Sequence, residues 1–232
     1  MTASSVTQAF VDATAAMVED RDVADTLAKL LHDCATSTAA NAIGLLVTDE
    51  RGDLDVLSTT SHQATELEIY QLQHDAGPCI DAVRSGASVA VANDGDIKAR
   101  WSLVGEAIVR AGFHAVQSVP LRWHGRIIGA LNAFHRDPGT VDEETQVLLQ
   151  AFADVATVVI VQSAELSSAE LTEKVRLALA GRTVIEQAKG VLAQTNNIDM
   201  AAAYELLARR AAENGSSLSG AAARIIEDAQ TR

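Results

Sequence analysis

Val116-Gln117-Ser118-Val119-Pro120-Leu121-Arg122-Trp123 turns through His124-Gly125-Arg126 and returns as Ile127-Ile128-Gly129-Ala130-Leu131-Asn132-Ala133-Phe134-His135. Two long apolar runs joined by a short glycine-bearing segment read as a β-hairpin. Pro120 has no backbone donor, which places its strand at an edge or a bulge. Working back toward the N-terminus, Ala42-Ile43-Gly44-Leu45-Leu46-Val47 reads as another strand, 49–53 as a turn and 55–60 as its antiparallel partner. A short strand is expected over 88–92. The centre of the first two-thirds is therefore an antiparallel sheet.

Helical segments surround it. Residues 7–37 carry Val23, Leu27, Leu30 and Leu31 at helical spacing, and 64–73 carry Leu67, Ile69, Tyr70 and Leu72. Gly77-Pro78-Cys79 breaks that helix, and Pro78 can begin another through 84. The Asp- and Asn-rich stretch 93–102 reads as an irregular loop, followed by a brief helix at 107–111. Asp142, with Glu143 and Glu144 behind it, is a good helix start. From there nearly everything to 194 can be helical.

The composition bounds what such a chain can do. The 232 residues suffice for one large domain or two modest ones. Aromatics are only 3% while alanine is abundant, which favours helices with close, small-residue packing. The net charge of −13 argues against indiscriminate adsorption to nucleic acid or to an acidic membrane. That charge is uneven. Residues 1–165 hold ten Lys/Arg against 23 Asp/Glu, whereas 166–232 hold eight of each. The first eight residues lack the order of a signal peptide, and no apolar run approaches the ~20 residues of a membrane span. Two cysteines, Cys34 and Cys79, make neither a disulfide framework nor a zinc pattern. The expected location is the cytoplasm.

Ser167-Ser168-Ala169-Glu170 has the spacing of a capping box, so a fresh helix can begin there. Leu171, Val175, Ala178, Arg182, Ile185, Lys189 and Leu192 follow in steps of four and three, the stripe of a two-stranded coiled coil. Arg182 and Lys189 interrupt it, which suggests that the stripe turns there to face something else. Asp199 can cap a helix over 200–213, Asn214-Gly215 can stop it, and Ser216 or Ser217 can cap a last helix over 218–228.

Two resemblances organise these pieces. Asp75-Ala76-Gly77-Pro78-Cys79, with Ser118-Val119-Pro120-Leu121 and Gly129-Ala130-Leu131-Asn132, resembles a GAF domain over roughly 7–162. The resemblance implies an α+β fold, an antiparallel sheet flanked by helices that binds a small molecule or dimerises. Val184-Ile185-Glu186-Gln187-Ala188-Lys189-Gly190-Val191-Leu192, then Ala203-Tyr204-Glu205-Leu206-Leu207 with Ala211, then Leu218 and Ala222, resembles an ANTAR domain over about 166–229. That implies a coiled-coil linker helix over 163–183 leading into a three-helix module. Such modules bind paired RNA hairpins in nascent transcripts, keep a terminator from forming, and act as homodimers under a sensory domain.

RNA loops are held by stacking on aromatics and by cations on the backbone. Tyr204 is the only aromatic after Phe152 and is one candidate platform, with small Ala203 beside it allowing close approach. Lys189, Arg182, Arg209 and Arg210 are the available cations. Tyr204 packing between helices and Lys189 on a solvated face are the structural alternatives. Ala208, where the family usually carries arginine, and Ser216-Ser217, where it often has basic residues, remove phosphate contacts.

In the front domain Cys79, Trp101, His114 and Asn132 are the candidate pocket residues for a small-molecule ligand. Cys79 near a helix start could be a thiol of lowered pKa or a buried small hydrophobe. Trp101 could be a lid or could cover the sheet. His114 and His135 flank the hairpin, but no paired ligand spacing accompanies them, and no cofactor motif occurs. The leading expectation is a non-enzymatic antitermination regulator. The alternatives are a sensing or dimerisation protein with a degenerate RNA module and, remotely, a thiol-dependent reductase on the GAF fold.

Overall fold

The computed structural model describes residues 3–19, 21–49, 51–139, 141–161 and 168–230. Two helices open the chain, α1 (Ala3–Val18) and α2 (Val23–Thr38). The helical segment expected over 7–37 is divided because Asp22 starts a new helix, its side chain accepting from Asp25 N–H. Strands β1 (Ala42–Thr48) and β2 (Leu54–Thr59) follow, then α3 (His62–His74), α4 (Pro78–Ser85), β3 (Val89–Val91) and α5 (Asp94–Arg110). The hairpin is β4 (Ala115–Trp123) and β5 (Arg126–His135), and α6 (Glu143–Val161) completes the front domain.

All pairings are antiparallel, in the order β2-β1-β5-β4-β3. His124 and Gly125 at the hairpin tip both have positive φ, 48° and 79°, the conformation a two-residue turn requires. β3 ends its pairing with β4 at Ser118, so Pro120 lies beyond the neighbour that would have needed its donor. A register shift follows at Leu121/Arg122.

Alternation along the strands divides the core in two. Ile43, Leu45, Val119 and Leu131 face α1, α2 and α6, where Leu27, Leu31, Phe152 and Ile160 meet them. Leu46, Val116, Ala130 and Phe134 face α3, α4 and α5, against Leu67, Ile80, Ile97 and Ile108. Helix α6 is long and apolar enough to cross a membrane by length and composition, an exception to the expectation above. Leu149, Phe152, Ala156 and Ile160 along it are instead buried against the sheet.

The stretch 93–102 is not a loop. Asn93 caps α5 by accepting from Asp96 N–H at 3.0 Å, with Asp94 and Asp96 in the first turn. The helix kinks at Trp101 and Ser102, whose backbones leave helical values. That kink explains why the pattern reads as broken and why 107–111 looks like a separate helix.

The last three helices are α7 (Ser168–Asn196), α8 (Met200–Glu213) and α9 (Leu218–Gln230). Ala188, Leu192, Ala203, Leu207, Ala211, Ala221 and Ala222 form their own core. Asp199 caps α8, accepting from Ala202 N–H at 2.8 Å. Ser217 Oγ accepts from Gly220 N–H at 2.9 Å at the start of α9. Ser167 of the capping box lies outside the described residues, as do the side chains of Glu170 and of the seam positions Leu171, Val175 and Ala178.

Candidate functional site

The apolar stripe of α7 carries Lys189 into an enclosed position. Its side chain is 2% exposed, and Nζ donates to both carboxylate oxygens of Glu186 at 2.9 Å. A buried ammonium needs such a partner. The same nitrogen lies 5.7 Å from the centre of the Tyr204 ring, within reach of a cation–π contact. Tyr204, at the front of α8, is half-buried, and burial followed by the Glu186 charge raises its pKa. Lys189, Glu186 and Tyr204 thus form one cluster at the α7–α8 junction. Glu186 was not singled out from sequence, although its three-residue spacing from Lys189 was there to read.

The other cations are spread. Arg209 and Arg210 are exposed on α8. Arg182, about two turns before Lys189, is committed to an ion pair with Asp55 of β2 at 3.1 Å. Ala203 departs from its expected place. It is fully buried among Ala188, Leu207 and Ala222, on the stripe of α8 that also carries Leu207 and Ala211, while Tyr204 is turned about 100° from it and is half-buried.

In the front domain, Gly44, Asn132 and Ser118 are register partners across β1, β5 and β4. They make a small polar row in the middle of the sheet, on the face toward α3 and α4. Glu68 of α3 fills the space above Gly44. Its carboxyl accepts from Asn132 Nδ2 at 2.8 Å on both oxygens and from Gln71 Nε2 at 2.7 Å. Gln71 Oε1 accepts from Cys79 N–H at 3.3 Å. Burial pushes the Glu68 carboxyl up to about 8, outweighing the hydrogen bonds from Asn132 and Cys79 that act the other way. Burial also raises the Cys79 thiol, and the Glu68 charge adds to it. The expected lowering at a helix start is therefore reversed, since α4 begins inside the core. Asn132 Oδ1 and Ser118 Oγ are buried with no hydrogen-bond partner among the described residues.

Cys79 and Asn132 are brought together here, whereas Trp101 and His114 are not part of the cluster. Trp101 is buried against the helices and its Nε1 donates to Asp81 Oδ2 at 3.1 Å, beside Arg100, so it covers the core. His114 Nδ1 and Asp94 Oδ1 lie 2.7 Å apart at the rim. His135 is fully enclosed, and burial lowers its pKa. Sequence reading missed Glu68, Gln71 and Ser118. Nothing in the local pattern sets Glu68 and Gln71 apart from Gln63, Glu66 and Gln73, the other polar residues of α3.

Comparison with known proteins agrees with this division. A GAF domain family model matches residues 20–161, and an ANTAR domain model matches 173–226. No curated protein matches the chain. Among solved structures, the GAF domain of an Acinetobacter phosphoenolpyruvate-protein phosphotransferase aligns at 14% identity with a TM-score of 0.52, over 78% of this chain and 97% of that one. The GAF domain of the corresponding Coxiella burnetii protein aligns at 14% identity with a TM-score of 0.53, over 69% and 95%. At that identity the likeness concerns the fold alone. With the larger part of its length matched by the first model, the chain belongs to the GAF domain family and carries an ANTAR domain behind its sensory fold.

Proposed function

We propose that this protein is a cytoplasmic, non-enzymatic transcription antitermination regulator that binds tandem RNA hairpins through 166–229 under control of its GAF domain. The observation that carries the reading is the Lys189–Tyr204 pair at the α7–α8 junction, inside the ANTAR match and on the same module as the exposed Arg209 and Arg210. A cation held against an aromatic face suits an unstacked base and its phosphate. Arg182, Arg209 and Arg210 supply the remaining positive charge, while Ala203 acts by letting the helices approach.

The sensor's part of the reading rests on Cys79 and Asn132. Buried polar atoms want partners, and Asn132 Oδ1 with Ser118 Oγ would hydrogen-bond a small polar ligand that displaces Glu68. A homodimer is supported by the apolar surface of the first and sixth helices, where Val11, Val18, Val147 and Val158 are exposed. The thiol-reductase alternative is disfavoured chemically. Cys79 is fully buried and its thiol pKa is raised, opposite to what a nucleophilic thiolate needs.

Gel-shift titration of the full chain with tandem-hairpin RNA at two salt concentrations tests the proposal. Binding that weakens with salt is the expected result. Failure to bind at low salt, with and without small-molecule extracts, would overturn it.

A further inference from the structure

The three-helix module is docked on the sensor rather than free of it. Helix α7 runs beside β2 and α2, α8 meets α3, and α9 meets α2. Two sensor carboxylates hold the contact. Asp55 Oδ1 accepts from Arg182 Nη1 at 3.1 Å, with the arginine side chain 21% exposed. Asp25 Oδ1 accepts from Leu218 N–H at 2.8 Å, so a residue of α2 caps the first turn of α9. Burial raises the Asp25 pKa, with the Leu218 hydrogen bond opposing. Helix α7 passes close to α2 at Gly181, where an added Cβ would make an ordinary 3.5 Å contact with Ala24.

What these contacts enclose is the surface that RNA would use. Ser58, Thr59 and His62 of the sensor and Glu186, Lys189 and Tyr204 of the module line one cleft of about 40 Å³. That volume holds a water or two and no nucleotide base. The charge pattern is consistent with competition. The front domain carries 23 acidic against ten basic residues, and one of its carboxylates already neutralises Arg182.

We infer that this docked arrangement is an RNA-off state, in which Asp55 and Asp25 of the sensor hold the face bearing Arg182, Lys189 and Tyr204 closed against RNA. The inference rests on the RNA reading above and adds the device that regulates it. Partly exposed ion pairs are weak, so the Asp55–Arg182 pair is readily broken, and a ligand of the sensor that binds the released state better would shift the population toward it. Docking lowers the apparent RNA affinity in proportion to the fraction of molecules released.

The test uses the full chain with the double substitution Asp25→Ala and Asp55→Ala, and the charge reversal Asp55→Arg at its half-exposed position in case the double variant folds poorly. Amide hydrogen exchange is followed over 182–193 and 200–207, and tandem-hairpin RNA is titrated in parallel. Faster exchange together with RNA affinity raised about tenfold over wild type is the expected result. Equal RNA affinity of wild type and both variants overturns the latch and leaves RNA binding standing. Faster exchange with no RNA bound by any of the proteins overturns the RNA reading, and the inference with it.

Discussion

A Cβ placed on Gly44 would lie 2.1 Å from Oε1 of Glu68, so the carboxyl occupies the space that the missing side chain leaves in the sheet. The two residues come from β1 and α3, and their fit is what admits a charged-type group to the centre of the front domain. Gly44→Ala therefore forces Glu68 away from Asn132 and Gln71 and leaves their buried donors unpaired. The expected loss is about 2–3 kcal/mol of unfolding free energy. Urea denaturation of the variant checks it, and a change under about 0.5 kcal/mol would mean that the helix shifts freely.

Glu68 also gives the stability a pH dependence whose sign follows from its burial. Its folded pKa is about 8 against an ordinary 4.5, so the folded protein keeps a proton that the unfolded chain releases. The contribution is complete below the ordinary value and is lost as pH rises through the folded one. His135, with a lowered pKa, acts oppositely on acidification. Subtracting Glu68→Gln from wild type isolates the carboxyl. The difference in stability should change by an order of a few kcal/mol between about pH 5 and pH 8, wild type losing ground as pH rises. Parallel unfolding curves at every pH would show that Glu68 stays ionised in its site.

Asp199 is a purely local case. Its side chain accepts from Ala202 N–H at 2.8 Å and begins α8, whose face carries Tyr204. Asp199→Ala should cost about 1 kcal/mol and Asp199→Asn a few tenths, read from thermal midpoints. Equal losses in the two variants would assign the effect to charge rather than to the cap.

These contrasts show what could be read in advance. The hairpin at 116–135, the caps at Asp199 and Ser217 and the helix at Asp142 follow from short-range rules, and each appears where those rules put it. Asn93 obeys the same capping rule but was hidden by the kink at Trp101 and Ser102. Glu68 was beyond reach, because nothing near it in the chain announces that Gly44 and Asn132 will meet it. Lys189 was partly legible. Its interruption of an apolar stripe pointed to a special place, yet the stripe could not say that Glu186 and the sensor would enclose it. Ala203 stands next to Tyr204 in the chain but on the buried stripe with Leu207 and Ala211, which adjacency in sequence alone does not reveal.

If the proposed RNA reading holds, Lys189 supplies a part of the face that shapes and the α8 arginines a part that attracts, and substitution should separate them. Methionine at 189 keeps the buried stem while removing the charge that pairs with Glu186 and faces Tyr204. Lys189→Met is expected to leave the thermal midpoint within about 4 °C and to weaken tandem-hairpin RNA binding about tenfold with little change in salt dependence. Arg209→Ala with Arg210→Ala, both at exposed positions, should leave stability unchanged and flatten the logarithmic salt slope by about one to two. If Lys189→Met lowers the midpoint strongly and spares RNA binding, Lys189 is a packing residue paired with Glu186. The RNA contact would then lie on the exposed side of α8 alone.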